Sequence, residues 1–136
     1  MIKENLNIVR ATVPSNVTLI AVSKTKPVSD LQEAYDAGQR IFGENKALEM
    51  RDKHQVLPDD IQWHFIGHLQ TNKLKMVLPY VSLVQSVDSL RLLDAIETWA
   101  VANDKVISVL LEPHVAAELT KQGFTAEEIY GILQAA

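Results

Sequence analysis

The sequence predicts an α/β fold built on a parallel sheet, on three observations. Short apolar runs rich in β-branched residues, the first being Val17-Thr-Leu-Ile-Ala-Val22, alternate along the chain with stretches of helical periodicity. The connections between them are short, which implies right-handed βαβ units whose chemistry lies at the carboxyl ends of the strands. No Gly-x-Gly-x-x-Gly or Walker-type loop follows any run, so a dinucleotide or P-loop fold has no motif support. A (β/α) barrel and an open doubly wound sheet both remain: a closed barrel of this type needs eight strands, and about five can be found here.

The first strand, residues 17–22, is short and apolar, and Pro27 bars a regular ladder beyond it, so it reads as an interior strand ending at a mouth. Ser29 or Asp30 can cap a helix to about Gly38, with Leu31, Ala34 and Tyr35 on one face and Gly38 as its stop. Arg40-Ile-Phe42 is a very short second strand, and a helix from about Lys46 to Gln55 carries Leu48 and Met50 among few apolar residues. After the turn Leu57-Pro58-Asp59-Asp60, Ile61 to Ile66 forms the third strand. Gln70 to Val77 or Leu78 fits a short helix ended by Pro79, and Val81 to Val84 or Ser86 a fourth strand. Asp88 or Ser89 caps the clearest helix, in which Leu90, Leu93, Ile96, Ala100 and Val101 recur at helical spacing. Val106 to Leu111 is the fifth strand. A last helix begins near Thr125, with Glu128 at the capping-box position and Ile129, Ile132 and Leu133 along it.

Composition narrows the function classes. With 136 residues, 47% hydrophobic and 22% charged, the chain is expected to form one α/β domain over residues 1–136. It has no cysteine, so a disulfide framework and a Cys-based zinc site are both excluded. A formal charge of -4 without a basic stripe argues against nucleic acid as a partner. Charge within Met1-Ile-Lys-Glu-Asn-Leu argues against a signal peptide, and no run approaches the roughly 18 apolar residues of a membrane span. A cytoplasmic protein with no membrane partner is the default expectation.

Lys24 is the residue of greatest chemical interest, because it sits where the first apolar run stops at Ser23-Lys24-Thr25-Lys26-Pro27. At the mouth of a sheet it would be half desolvated, and burial together with a second cation at Lys26 favours a neutral amine that can attack an aldehyde. Taken alone, Ser-Lys-Thr-Lys reads first as a solvated strand-to-loop exit. The other strand ends offer Gly43-Glu44-Asn45, Gly67-His68, Ser86-Val87-Asp88 and Glu112-Pro113-His114. Gly43 and Gly67 would let backbone approach a ligand closely, and Asn45 offers both donor and acceptor. His64 lies within its strand and is expected to be a hydrogen-bonded interior histidine, with no partner at metal-ligand spacing. His68, beyond the glycine, is better placed for a ligand, whereas Gln70, Thr71 and Asn72 are accounted for as a helix cap.

Ala21-Val22-Ser23-Lys24-Thr25-Lys26-Pro27, Phe42-Gly43-Glu44-Asn45 and the segment Trp63 to Lys73 together resemble the signature elements of the pyridoxal 5'-phosphate homeostasis protein family, which is similar in fold to the N-terminal barrel of alanine racemase. The resemblance implies a partial TIM-type (β/α) barrel of fold type III, about five of the family's eight strands. It also implies pyridoxal phosphate held as an aldimine on Lys24, and a carrier role in cofactor homeostasis rather than an enzymatic one. Glu118-Leu119-Thr120-Lys121-Gln122-Gly123 matches a further family segment, which offers Lys121 as a second lysine near the site, although a surface loop cation is the slightly favoured reading. With the strand-end residues Asn45, His68 and Ser86, the candidate cofactor-binding set is Lys24, Asn45, His68, Ser86 and Lys121, with no catalytic residue and no metal ligand. A racemase-like enzyme and a non-binding half-barrel are the alternatives.

The departures are as informative. Family chains are longer, and the resemblance places the last three strands, the phosphate-binding serine, glycine and threonine loops and an arginine facing the pyridine nitrogen beyond residue 136, so this form is expected to bind the cofactor weakly or not at all. Pro113 removes a backbone donor where the family has a ladder-compatible residue. Five strands of an eight-strand barrel leave two unpaired edges and an exposed apolar interior, from which a homo-oligomer is expected.

Overall fold

The computed structural model describes residues 1–113 and 123–135. Its elements run α1 (Ile2–Thr12), β1 (Ala21–Val22), α2 (Val28–Asp36), β2 (Ile41–Glu44), α3 (Ala47–Val56), β3 (Gln62–Phe65), a 3-10 turn (Thr71–Lys73) leading into α4 (Leu74–Val77), β4 (Val81–Val87), α5 (Leu90–Ala102), β5 (Val109–Leu111) and α6 (Ala126–Ala135). The five strands form one parallel sheet in the order β1-β2-β3-β4-β5, so each connection between them is a crossover to the next strand.

Register decides which side chains share a face. Phe42 lies beside Ala21 and Trp63, and Phe65 lies beside Glu44 and Val84. Successive strand residues point to opposite faces, so Phe42, Glu44, Trp63 and Phe65 all project the same way. That side meets the helices: Phe42, Trp63, Phe65 and Val84 join Leu31 and Ala34 of α2, Met50 of α3 and Leu92 and Ile96 of α5 in one hydrophobic cluster. The Phe42 and Trp63 rings lie 6.0 Å apart at its centre. Full burial of side chains of this kind stabilises by roughly 1.5–3 kcal/mol each.

The opposite side carries Val22, Gly43, His64, Leu83 and Leu110. Its flanks are open, with Val22 56% and Leu110 50% exposed. Its middle is closed over by neighbouring side chains: a Cβ on Gly43 would sit 3.2 Å from Ile66 Cδ1 and 3.3 Å from Ile20 Cγ2. His64 is buried there and accepts at Nδ1 from the Gln85 side-chain amide at 3.0 Å, the interior hydrogen-bonded histidine its strand position implies.

Several expected boundaries move, each because a ladder partner sets the limit. The first strand is not an interior one: only Ala21 and Val22 pair, and β1 is an edge with β2 as its neighbour among the described residues. β2 opens at Ile41, and its register with β1 starts at Ala21 and Phe42, so residues 17–20 have no ladder to join. In the fifth strand Val106 is 97% exposed, because the register with β4 starts at Val109. Helix α2 starts at Val28 behind Pro27, with no side-chain cap from Ser29 or Asp30, and Gly38 follows it at φ 104 as the expected stop. Gln70, Thr71 and Asn72 make no side-chain cap either; they lead into the 3-10 turn. Pro113 falls past the β5 ladder, in an isolated bridge to Phe124, so its missing N–H removes no strand bond.

The amino-terminal helix α1 answers to no expectation from the sequence. It has no fully buried residue and is held from outside itself: Ile2 and Leu6 rest on the core, and the Arg10 guanidinium donates to Ala37 O and Gln39 Oε1, both at 3.1 Å. Two of the caps read from local pattern are present. Ser89 Oγ accepts from Leu92 N at 3.1 Å, and Thr125 and Glu128 bond each other's backbone N–H reciprocally.

Burial lowers the His64 pKa below its ordinary 6.5. Below that pH the unfolded chain takes up a proton that the folded ring resists, so the unfolded state binds more protons and stability drops as the pH is lowered. Urea midpoints should therefore decline more steeply between about pH 7 and 5.5 for the parent than for His64→Gln. Equal slopes in the two proteins would rule this out.

Candidate functional site

The carboxyl ends of the first four strands stand side by side along one edge of the sheet, with Lys24, Asn45 and His68 beyond β1, β2 and β3; Ser86, expected beyond the fourth strand, is still within β4, one residue before its end. At the β1 exit the pairing with β2 continues one residue further, through Ser23 N to Gly43 O at 3.0 Å, and the turn then closes by Lys26 N to Ser23 O at 3.1 Å. Within it Thr25 adopts a left-handed backbone at φ 65, which a β-branched residue rarely takes up.

This turn is anchored by charges that sit under the sheet. Glu44 is 0% and Lys53 5% exposed, and the Lys53 ammonium directs its three donors to Glu44 Oε2 at 2.9 Å, Glu49 Oε2 at 2.9 Å and the Ser23 carbonyl at 2.8 Å. The Ser23 hydroxyl donates to the same Glu44 oxygen, and Thr25 N donates to Glu49 Oε2 at 2.8 Å. Partial burial pushes the Glu49 carboxyl up, but the Lys53 ammonium and the Thr25 amide outweigh it and hold the group below the usual carboxylate range.

Lys24 lies between the two anchored residues with its own side chain exposed. The half desolvation expected for it is absent, because β1 is an edge and no strand flanks the turn on its far side among the described residues. What the arrangement offers is an exposed primary amine on a backbone held at the residues before and after it. Such an amine can condense with an aldehyde.

The neighbouring exits are packed against one another. A Cβ on Gly67 would sit 2.7 Å from Asn45 Cβ and 2.8 Å from Asn45 Cα, so the bareness of this glycine admits the Asn45 backbone rather than a ligand. The Ser86 hydroxyl is buried and donates to the Gly67 carbonyl. Asn45, half-buried, has its Oδ1 unpartnered among the described residues. It lines a cavity of about 300 Å³ together with Lys46, His68, Gln70 and Lys73. His68 is exposed and its Nδ1 lies 3.3 Å from Asp88 Oδ2. Asn45, Ser86 and His68 thus gather around Gly67, and Lys24 stands one strand away. Lys121 and His114 lie outside the described residues.

The charge network was not anticipated from the sequence, although a signal for it exists. Ala47, Met50, Lys53 and Leu57 fall on one helical stripe, and all four are buried. A lysine on an apolar stripe, four residues after Glu49, calls for a buried anion to meet it. Among the described residues no cluster of three His, Cys, Asp or Glu side chains is arranged to hold a metal ion.

Comparison with known proteins agrees with this architecture. The family model "Alanine racemase, N-terminal domain" matches residues 1–136. The pyridoxal phosphate homeostasis protein of Aquifex aeolicus is 41% identical over 112 residues, covering 82% of this chain and 49% of that protein. Its counterpart in Escherichia coli K12 is 38% identical over 120 residues, covering 85% and 51%. The chain spans about half the length of the curated relatives it matches. Among solved structures, PipY of Synechococcus elongatus without PLP superposes with a TM-score of 0.91 at 34% identity, over 99% of this chain and 64% of that one. PipY with PLP bound gives 0.88 at 33%, over 99% and 63%. The fold is a partial TIM-type barrel of five parallel strands, and the chain belongs to the alanine racemase N-terminal-domain family, within which it is similar to the pyridoxal phosphate homeostasis proteins.

Proposed function

We propose that this chain is the N-terminal portion of a pyridoxal phosphate carrier, and that it holds the cofactor covalently through Lys24 Nζ. One observation carries the reading: Lys24 is an exposed amine at the carboxyl edge of the sheet, on a turn anchored at Ser23 and Thr25. A PLP-bound structure of PipY, 33% identical over 99% of this chain, supports it. The residues present fit such a group. An aldehyde needs a free amine, and the cavity beside Asn45 has Lys46, His68 and Lys73 at its rim, side chains suited to an anionic ligand. When bound, the cofactor supplies an electron sink for amino-acid chemistry.

The chain's own residues hold and orient rather than catalyse. Asn45 and His68 line the neighbouring wall, Ser86 supports that wall through Gly67 instead of facing a ligand, and Lys121 is proposed as a second lysine near the site. The relatives' names as homeostasis proteins support carriage over turnover. Binding by this chain is proposed to be weak, since it spans about half of those relatives. We place the protein in the cytoplasm; no described helix is long and apolar enough to cross a membrane.

The covalent assignment is tested by adding pyridoxal phosphate, following the visible absorption band, reducing with borohydride and mapping the labelled peptide. Label on Lys24 that disappears in Lys24→Ala is the expected result. Label elsewhere, or none, rejects the assignment, and racemisation of alanine by the protein would replace the carrier reading with an enzymatic one.

The open flanks carrying Val22 and Leu110 lead us to propose self-association through the barrel edges. Light scattering should then give at least twice the chain's 15.2 kDa. A monodisperse species at the chain mass would contradict it.

A further inference from the structure

The network beneath Lys24 poses a physical question of its own. A buried ion pair contributes little net stability, because desolvating both charges offsets most of their attraction, and well-packed apolar side chains commonly serve the core as well or better. Here, nevertheless, a lysine occupies the buried stripe of α3, and Glu44 occupies the helix-facing row of β2 between Ser23 and Phe65. Lys53 is the one cation within ion-pair distance of the Glu44 carboxylate among the described residues.

The bonds of this network converge on one place. Lys53 reaches the Ser23 carbonyl, Glu44 takes the Ser23 hydroxyl, and Glu49 takes the Thr25 amide. The residues before and after Lys24 are therefore each tied to a buried or half-buried charge, while Lys24 itself makes none of these contacts. The left-handed Thr25 points the same way. A β-branched residue held at φ 65 has to be over-determined by its surroundings, and the bond from its N–H to Glu49 supplies that constraint. Such strained positions concentrate where a side chain must be aimed.

We propose that Glu44, Glu49 and Lys53 are positioning residues for Lys24: a charge network under the sheet that fixes the backbone on both sides of that lysine, so that the amine is presented in one direction while staying free to react. The proposal rests on Lys24 being the attachment point for the cofactor, and it adds residues that touch neither the cofactor nor the reacting amine. It also assigns Lys53 a role distinct from that of the other lysines near the site, since its ammonium is fully engaged and unavailable for attachment.

Two variants test it. Glu49→Ala removes the anchor of Thr25 and leaves the buried Lys53–Glu44 pair in place. The double variant Glu44→Gln with Lys53→Met removes the buried charges together, so that neither is left uncompensated. In each variant that retains the parent far-UV circular dichroism spectrum, two quantities are read: amide hydrogen exchange through residues 23–26, and the ratio of borohydride-fixed pyridoxal label on Lys24 to that on Lys26. Loss of a charge-assisted anchor should speed exchange of the Thr25 amide in Glu49→Ala by about tenfold. The label ratio should fall at least about threefold in either variant, a change that lower global stability does not produce while the protein remains folded.

Unchanged exchange, or faster exchange with an unchanged ratio, overturns the proposal. A parent protein that shows no preference for Lys24 over Lys26 would instead sink the cofactor assignment. In that case the Thr25 exchange rate alone decides whether the network holds the turn.

Discussion

The contact between Lys53 and Glu44 is the constraint that joins α3, β2 and the end of β1 at one point. An ammonium and a carboxylate that are almost fully removed from water must meet with good geometry, because either one alone is strongly destabilising. That requirement ties α3 to β2, and through the Ser23 carbonyl and hydroxyl it ties both to the end of β1. The apolar side chains Phe42, Met50 and Phe65 are held by packing, which is non-directional. A three-donor ammonium adds direction, since each of its protons needs an acceptor in place.

The rest of the architecture divides the sheet into two unlike faces. One is dry and packed, with Phe42, Trp63 and Phe65 under the helices, and it is where the stability of the fold resides. The other is closed only in the middle, where Ile20 and Ile66 cover Gly43 and Gln85 holds His64, and it opens at Val22 and Leu110. The candidate site lies at neither face but along the carboxyl edge joining them, where backbone leaves each strand. Lys24 is exposed there because its strand is the last on that side among the described residues, and Glu44 and Lys53, which hold the turn, are buried because they lie between the sheet and α3. An exposed amine on a backbone anchored from below follows from those two facts together.

Much of this was legible in the amino-acid sequence wherever the determinant is local. Alternating apolar runs gave the number of the strands, and Ser89 and the Thr125–Glu128 pair are caps readable over three residues. Non-local determinants were not legible. The first and fifth strands are shorter than their apolar runs because pairing depends on where the neighbouring strand begins. Helix α1 is secured by Arg10 reaching a carbonyl 27 residues away. Lys24 was identified from its position at a strand end, but its exposure depends on a sheet edge no local pattern encodes. Ser86 was recognised as a strand-end polar residue, whereas its bond to Gly67 joins two strands and is invisible in either alone. The same holds for Glu44 and Lys53, nine residues apart and buried in each other's presence.

The claim that this pair is the joining constraint is tested most directly by a double-mutant cycle with Glu44→Gln and Lys53→Met, read as unfolding free energy in urea. Lys53→Met leaves the buried Glu44 carboxylate without its cation and should cost about 3–5 kcal/mol, Glu44→Gln leaves Lys53 only its half-buried partner Glu49 and should cost less, and the double variant should recover a large part of the combined loss. Losses that simply add, or single variants within about 0.5 kcal/mol of the parent, would show that the two charges do not depend on each other.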